Sequence, residues 1–376
     1  MQQNKTAFVI GAGIVGLATA RALSLKGFKV TVIERSEKAV GASIRNFGMI
    51  WPIGQPSGEL YNRALRSKHI WKEIADNIGL WYEEAGSLHV AHNEDEWEVL
   101  KELYEIFDKE GRPVRLLNKE AIATSYSSVN SQGLLGGLYS STETIVDPRE
   151  AIASIPNYLK EQNGVEFIWG KAIIQVESNF IWLDGVKLEA DVVCICTGVD
   201  FEILYPEIYN SLEITKCKLQ MLRFAPHSIQ KRFGISLCGG LSLAHYNSFK
   251  VAPSLPKLQK RYMEEMSEYV KWGIHVMVSQ NGKGELTVGD SHEYGLTFDP
   301  FDKIHINTLI LEYLNKFVLT NDWKPIETWH GVYSKMTNGE SGLFMEVAKD
   351  VFIINGVGGA GMTLSFGFAE EVLQRI

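Results

Sequence analysis

Ala7-Phe8-Val9-Ile10-Gly11-Ala12-Gly13-Ile14-Val15-Gly16 is the stretch whose reading decides the fold. Its four leading apolar residues suit a short, buried parallel strand. After the glycines, Leu17, Ala20, Leu23 and Leu25 recur at helical spacing. Gly27 ends that helix, and Lys29-Val30-Thr31-Val32-Ile33 reads as a second strand, with Glu34 at its end, 18 positions after Gly16. Strand, glycine turn, helix, strand and terminal acid together make a βαβ unit of the dinucleotide-binding type. Gly11 permits the tight turn, Gly13 lets backbone approach a pyrophosphate, and Gly16 lets helix and strand pack closely. The helix N-terminus at Ile14 and Val15 offers free N–H groups and a positive dipole end to phosphate. Glu34 can accept from both ribose hydroxyls and would repel a 2′-phosphate; Arg35 is grouped with it as a cofactor contact.

The chain has 376 residues, enough for two or three domains. It is 45% hydrophobic and 22% charged, which excludes a disordered or collagen-like chain. Lys plus Arg number 37 against 45 Asp plus Glu, a net charge of −8 with no basic run. Neither nucleic acid nor an anionic membrane surface is therefore expected as a partner. Cys194, Cys196, Cys217 and Cys238 are too few for a disulfide scaffold and lack zinc spacing, so no metal is expected. Cys194 and Cys196 alternate along a strand as small buried residues. The first residues carry no apolar region with a cleavage site. No run of ~20 apolar residues occurs anywhere. A soluble, cytoplasmic protein is the expectation.

Helices are expected over Asn62–Asn77, Glu94–Glu110, from the Asp147-Pro148-Arg149-Glu150 start to about Gln162, and over Ile304–Val318. Trp97, Leu100, Leu103, Tyr104 and Phe107 form a core face rather than an aromatic cofactor box. Strands are expected at Ser87–Ala91, Val165–Trp169, Ile173–Glu177, Phe180–Leu183 and Asp191–Cys196. From Lys216 to Gly289 the pattern turns antiparallel: Leu219–Phe224 is one strand, and Ile274–Val278 and Glu285–Val288 flank an Asn281-Gly282 turn. Val351–Ile354 leads into Gly356-Val357-Gly358-Gly359-Ala360-Gly361 and a helix from about Leu364. Two features favour FAD over NAD. Gly41–Met49, with Ser43, Arg45, Asn46, Gly48 and Met49, suits a loop running along phosphate and flavin. The strand ending in Thr197-Gly198 suits a backbone passing close to a cofactor at the sheet's carboxyl edge. The fold class is thus α/β plus antiparallel β. A Rossmann-like FAD-binding domain (1–85, 145–210 and 327–376) carries an inserted antiparallel-sheet substrate domain (86–144 and 211–326).

With these pieces in place the chain resembles the flavin-dependent amine oxidases of the glycine oxidase, sarcosine oxidase and D-amino-acid oxidase superfamily. The carriers are Gly11/Gly13/Gly16/Glu34, the Ser43–Met49 loop, Thr197-Gly198, Trp329-His330-Gly331 and the Gly356–Thr363 loop. The resemblance covers essentially the whole chain and implies a glycine oxidase-like fold. It implies FAD in an elongated form, hydride transfer from an amine-bearing carbon to flavin N5, and hydrolysis of the resulting imine. Oxygen or another acceptor would reoxidise the flavin. Such a reaction asks the protein chiefly to orient the amine and dry the site. Gly358, Gly359, Ala360, Gly361, Met362 and Thr363 would offer N–H groups to the flavin's pyrimidine edge. No equivalent of the sarcosine oxidases' flavin-attaching Cys is evident, so FAD is expected to be non-covalent. A homo-oligomer is left open.

The departures are informative. The superfamily's amino-acid oxidases usually carry a carboxylate-pairing Arg shortly after the Trp-x-Gly. Here Tyr333 follows Val332, with Lys335 beyond it, and the final loop reads Gly358-Gly359-Ala360 without Arg. The position of the family's active-site Tyr is taken by His275. Ser43–Gln55, Leu219-Gln220-Met221, Gly289-Asp290-Ser291-His292-Glu293-Tyr294 and Gly359–Thr363 resemble a narrower group, the flavoenzymes associated with bacterial aminophosphonate breakdown. That resemblance implies oxidation of 2-aminoethylphosphonate, or an N-methyl or hydroxy relative, to an aldehyde. A tetrahedral dianion suits several Lys, His, Tyr and backbone donors better than one flat Arg fork. His275, His292, Tyr333 and Lys335 are its expected ligands, with Arg45, Trp51, His245, Tyr246 and His330 nearby. His275, alternating with Met277, reads equally as a core histidine, and His292 beside Glu293 as a surface pair. The rival readings are an amino-carboxylate oxidase or dehydrogenase (with Arg45 or Arg223 as anchor), a nicotinamide-dependent dehydrogenase, and a non-catalytic flavin-binding protein.

Overall fold

The computed structural model describes residues 5–225, 232–320 and 323–376. The opening unit forms as its sequence dictates: strand Thr6–Ile10, helix Ile14–Leu25 and strand Lys29–Glu34. Six strands make the first sheet, in the order Leu343–Ala348, Val351–Asn355, Val192–Ile195, Thr6–Ile10, Lys29–Glu34 and Glu166–Trp169. Five run parallel, and Leu343–Ala348 closes one edge antiparallel. Val9, Val30, Val32 and Cys194 are buried between this sheet and the helices Ile14–Leu25, Pro148–Asn163 and Gly361–Val372. Asp147 caps its helix as expected, its carboxylate accepting from the amides of Arg149 and Glu150.

The second, larger sheet runs Glu293–Gly295, Ile214–Ala225, Leu286–Gly289, Met277–Gln280, Ser236–Cys238, Ser87–Ala91, Gly136–Ser140 and Val114–Asn118. Lys324–Met336 pairs along the full length of Ile214–Ala225. All of its pairings are antiparallel except Ser236–Cys238 beside Ser87–Ala91. Its core, with Leu88, Val90, Leu222 and Val278, is covered by helices Glu94–Lys109, Leu255–Glu265 and Ile304–Phe317. The domain edge expected at 326/327 falls inside Lys324–Met336, a strand that starts in the larger sheet and ends beside the glycine loop, where Lys335 bridges to Val357.

Several local readings differ from the structure, among them the strand expected over Ile274–Val278, which forms over Met277–Gln280. Only Val176–Glu177 of the expected Ile173–Glu177 strand pairs, because Ile173 turns into the central cavity instead. Val186–Glu189, unmarked by alternation, adds a third strand beside Phe180–Leu183. The last helix begins at Gly361, three residues early, because Gly361 itself has helical dihedrals and the glycine run closes up rather than breaking. Among the described residues no helix is long and apolar enough to cross a membrane.

Candidate active site

A single cavity of about 900 Å³ runs from the first glycine turn to the face of the larger sheet. At its near end the turn is sterically locked. Gly11 has φ +106°, and a Cβ there would lie 2.5 Å from the carbonyl oxygen of Cys196. A Cβ on Gly16 would lie 1.9 Å from the carbonyl oxygen of Gly11. Glu34 secures the turn from below: one carboxylate oxygen accepts from the Ala12 amide at 2.9 Å, the other from Ser36 at 3.0 Å. Ser43 Oγ accepts from the Ile14 amide at 2.9 Å, while the amides of Gly13 and Val15 meet no protein acceptor among the described residues. Arg35 reaches over the cavity to Asp200 at 2.6 Å. Thr197 and Gly198 line the wall beneath that ion pair.

The middle of the cavity is walled by the 43–49 loop and the 358–363 loop. Asn46 folds the first of these back on itself, donating to Ser43 O and accepting from the Gly48 amide. Arg45 donates to the His330 carbonyl at 3.2 Å. Met49 lines the cavity, whereas Gly16 and Gly48 act behind it, Gly48 because Val146 O would lie 2.0 Å from a Cβ. The 12-residue helix Gly361–Val372 starts at this wall without a side-chain cap. Thr363 Oγ1 accepts from the Trp51 amide at 2.9 Å, and the Met362 carbonyl accepts from Trp71 at 2.7 Å. These bonds fix the loop against the neighbouring elements.

The far end gathers most of the expected substrate residues. His275, His292, Tyr246, Tyr333 and Lys335 all line it, together with His245, Asp290 and Tyr294. Lys335 Nζ lies 3.2 Å from Tyr294 Oη and forms no ion pair among the described residues. The Tyr333 hydroxyl packs against the backbone at Gly359. Tyr246 donates to Met277 Sδ at 2.9 Å. His330 stands apart: it does not line the cavity, and its ring meets Asp302 at 2.9 Å. Arg223 is also elsewhere, paired with Glu285 at 3.1 Å. Burial drives the charges here. It pushes His245 and His275 well below the ordinary imidazole range, and His292 down to about 4. It raises the Asp290 carboxyl and Tyr333 hydroxyl well above theirs, and the Cys217 thiol to about 12.

Asp290 and His245 are the residues sequence reasoning underweighted. Asp290 Oδ1 lies 3.1 Å from His275 Nε2, but out of line for a hydrogen bond, so both atoms lack a partner among the described residues. The ring nitrogens of His245, His275 and His292 lie within 4.8 Å of one another, a spacing that could hold a metal ion. The His275 and His292 rings, however, are stacked, 17° from parallel with centroids 5.1 Å apart, whereas the His245 ring is tilted against both, by 34° at 3.8 Å and by 39° at 4.7 Å. The nearly parallel His275 and His292 imidazoles project their in-plane lone pairs side by side, whereas a tetrahedral ion needs them to converge.

The family of FAD dependent oxidoreductases known as DAO matches residues 6–375. The chain belongs to this family. A D-amino acid dehydrogenase of Helicobacter pylori is 26% identical over 253 residues, 52% of this chain and 60% of that protein. The tRNA 5-methylaminomethyl-2-thiouridine biosynthesis bifunctional protein MnmC of Saccharophagus degradans is 26% identical over 250 residues, 63% of this chain and 34% of that one. The chain thus spans about a third to three fifths of these relatives. The fold is close to that of glycine oxidase from Geobacillus kaustophilus, with TM-score 0.78, 17% identity, and 98% and 94% of the two chains covered. It is equally close to L-proline dehydrogenase from P. horikoshii, with TM-score 0.78, 20% identity, and 100% and 93% covered.

The residues present fit the family's FAD. The Gly11–Gly16 cradle leaves no room for a Cβ where backbone must pass close, and the Gly13 and Val15 amides are unclaimed donors for phosphate. The uncapped Gly361 helix end supplies further donors at the wall nearest the expected substrate residues. Cys196, a cysteine on the cavity wall, is buried with its thiol directed to Thr19 Oγ1 at 3.7 Å.

Proposed function

We propose that this chain oxidises a small amine carrying a tetrahedral dianion: 2-aminoethylphosphonate or an N-methyl or hydroxy relative. The product would be an imine that water converts to an aldehyde, with FAD held non-covalently. The bound flavin supplies the hydride-accepting centre, and the protein's residues bind, orient and dehydrate the amine. One observation carries the substrate reading. The cation open to the substrate end is Lys335, paired among the described residues with the Tyr294 hydroxyl, and Val332, Tyr333 and Lys335, with no Arg, follow the Trp329-His330-Gly331 marker. Each nearby guanidinium is engaged, Arg45 with the His330 carbonyl, Arg35 with Asp200 and Arg223 with Glu285. A point charge with two hydroxyls suits a phosphonate, whereas a flat carboxylate favours an Arg fork.

In this reading the residues of the glycine turn, the 43–49 loop, Thr197-Gly198 and the 358–363 loop hold FAD, and the larger sheet presents the substrate residues. Phosphonate catabolism in the cytoplasm is the setting it implies, with oxygen or another acceptor taking the electrons. The second reading, oxidation of glycine, sarcosine or a D-amino acid, is favoured by the likeness to glycine oxidase and D-amino acid dehydrogenase. Anaerobic bleaching of the flavin with 2-aminoethylphosphonate, its N-methyl form, glycine, sarcosine and D-alanine separates the two. The phosphonates alone are expected to bleach it; bleaching by the carboxylates alone would overturn the substrate assignment.

A further inference from the structure

The cluster at the far end of the cavity is rich in acceptors and poor in donors. His292 Nδ1 lies 3.0 Å from the Gly273 carbonyl, which can only accept, so this nitrogen carries the proton. The neutral ring then turns a bare Nε2 lone pair toward Asp290 Oδ2 at 3.8 Å. Among the described residues Asp290 Oδ1 meets no donor in line, and neither nitrogen of His275, one a donor and one an acceptor in the neutral ring, has a partner. Backbone bonds clamp the arrangement, Asp290 N to His275 O at 2.8 Å and His275 N to Asp290 O at 3.2 Å. Asp290 is 4% exposed and His275 3% exposed, so water does not freely supply what is missing. Leaving buried acceptors unmatched is costly. A small, N–H-rich cation is the chemical complement of this pocket.

We propose that Asp290, flanked by His275 and His292, seats the substrate's ammonium group and takes its proton. The proposal rests on the amine reading above, and it divides the site in two. Lys335, Tyr294 and Tyr333 face the anionic end of a zwitterion, while Asp290 and the histidines face its nitrogen. The two histidines expected to ligate the phosphonate are thereby assigned to the opposite end, because the Asp290 oxygens beside them are acceptors that offer a dianion no donor. The step balances simply. One N–H bond of the ammonium breaks, its electron pair stays on nitrogen, and the proton passes to an Asp290 oxygen, leaving a neutral amine beside a neutral carboxylic acid. A carbon gives up hydride readily only when its nitrogen has a lone pair to form the imine, so an ammonium must lose this proton first. Burial makes the Asp290 carboxylate more basic, which serves a proton acceptor.

The groups facing Asp290 come from every neighbouring element: His245 and Tyr246 after the Gly240–Ala244 turn, Cys217 on Ile214–Ala225, Tyr294, and Tyr333 and Lys335 on Lys324–Met336. Of these Lys335 is the one lysine or arginine, and its Nζ is turned to Tyr294. The test compares the wild-type holoenzyme with Asp290→Asn. Ethylphosphonate, which lacks the amine, should perturb the flavin spectrum equally in both, and FAD content should match. Flavin reduction by 2-aminoethylphosphonate should fall roughly 10²–10⁴-fold at neutral pH in the variant. It should recover as pH rises toward the substrate's own amine pKa. An unchanged rate and pH profile would overturn the proposal, as would a loss that no rise in pH repairs in fully flavinated protein. Should the variant not fold, the wild-type profile decides alone. Reduction that stays efficient well below the amine's pKa supports the proposal, and a rate tracking the free-amine fraction overturns it. If glycine or sarcosine bleaches the flavin and the phosphonates do not, the substrate reading fails, and the same comparison run with that amine still decides Asp290.

Discussion

Lys335 shows how much one side chain can decide. Its stem passes over the glycine loop, with Cγ 3.8 Å from where a Gly358 Cβ would sit, and its ammonium ends beside Tyr294 at the far end of the cavity. It could therefore serve the cofactor or the substrate, and the two roles separate on truncation. Charge-assisted hydrogen bonds contribute about 1.5–3 kcal/mol. If the ammonium holds a phosphonate, Lys335→Ala raises KM for 2-aminoethylphosphonate roughly 10- to 100-fold, with FAD content unchanged. Steady-state kinetics beside a flavin-to-protein absorbance ratio reads both, and a parallel loss of FAD and turnover would assign Lys335 to the cofactor instead. The sequence made Lys335 and Tyr333 legible because they follow a Trp-x-Gly marker at fixed spacing. Asp290 was not legible: an acid between a glycine and a serine has no periodicity to announce it, and only three-dimensional pairing brings it to His275. His330 misled for the converse reason. It sits inside the marker, but its ring leaves the cavity to meet Asp302.

At the scale of elements, the first βαβ unit was readable almost residue by residue, because its glycines are required by contact rather than preference. A Cβ on Gly16 would lie 1.9 Å from the Gly11 carbonyl oxygen, which is backbone and cannot swing aside. Gly27 makes the contrast: it has φ +87°, yet open space surrounds it. Gly16→Ala should thus force the turn apart and remove most bound FAD, whereas Gly27→Ala should keep FAD and lose only about 1 kcal/mol of stability from its backbone conformation. Absorbance ratios and thermal melts of the two variants check this, and full FAD retention in Gly16→Ala would show that the close approach is not needed. Elements were less legible where burial overrode pattern. Ile173 looked like a strand residue but lines the cavity, and Gly361 looked like a breaker but begins a helix. The parallel pairing of Ser236–Cys238 with Ser87–Ala91 joins segments too far apart in sequence for any local signal.

Across the whole molecule, the site's design has a consequence for stability. Burial holds His89 at about 3 and His292 at about 4, against an ordinary 6.5, and lowers His245 and His275 in the same direction. The unfolded chain therefore binds more protons than the folded one between pH 6.5 and about 3. Stability should be fully present above pH 6.5 and be lost as pH falls through that window. Each such histidine contributes up to about 1.4 kcal/mol per pH unit within its window. Asp290 acts oppositely, since a carboxyl whose folded value is raised favours the folded state at lower pH; it offsets part of one histidine, not four. Bulk charge predicts the other sign. The chain carries −8 at neutral pH, so mild acid reduces its self-repulsion and by that effect alone would stabilise it. Urea midpoints measured from pH 7.5 to 4.5 distinguish the two: the histidines require a steep fall, bulk charge a flat or rising line. His89, which has no hydrogen-bond partner among the described residues, packs edge-on to Phe249 at 5.1 Å and does not itself line the cavity, isolates the effect. His89→Gln should flatten the fall by about one proton's slope, and an unchanged slope would show that the buried rings do not govern acid lability.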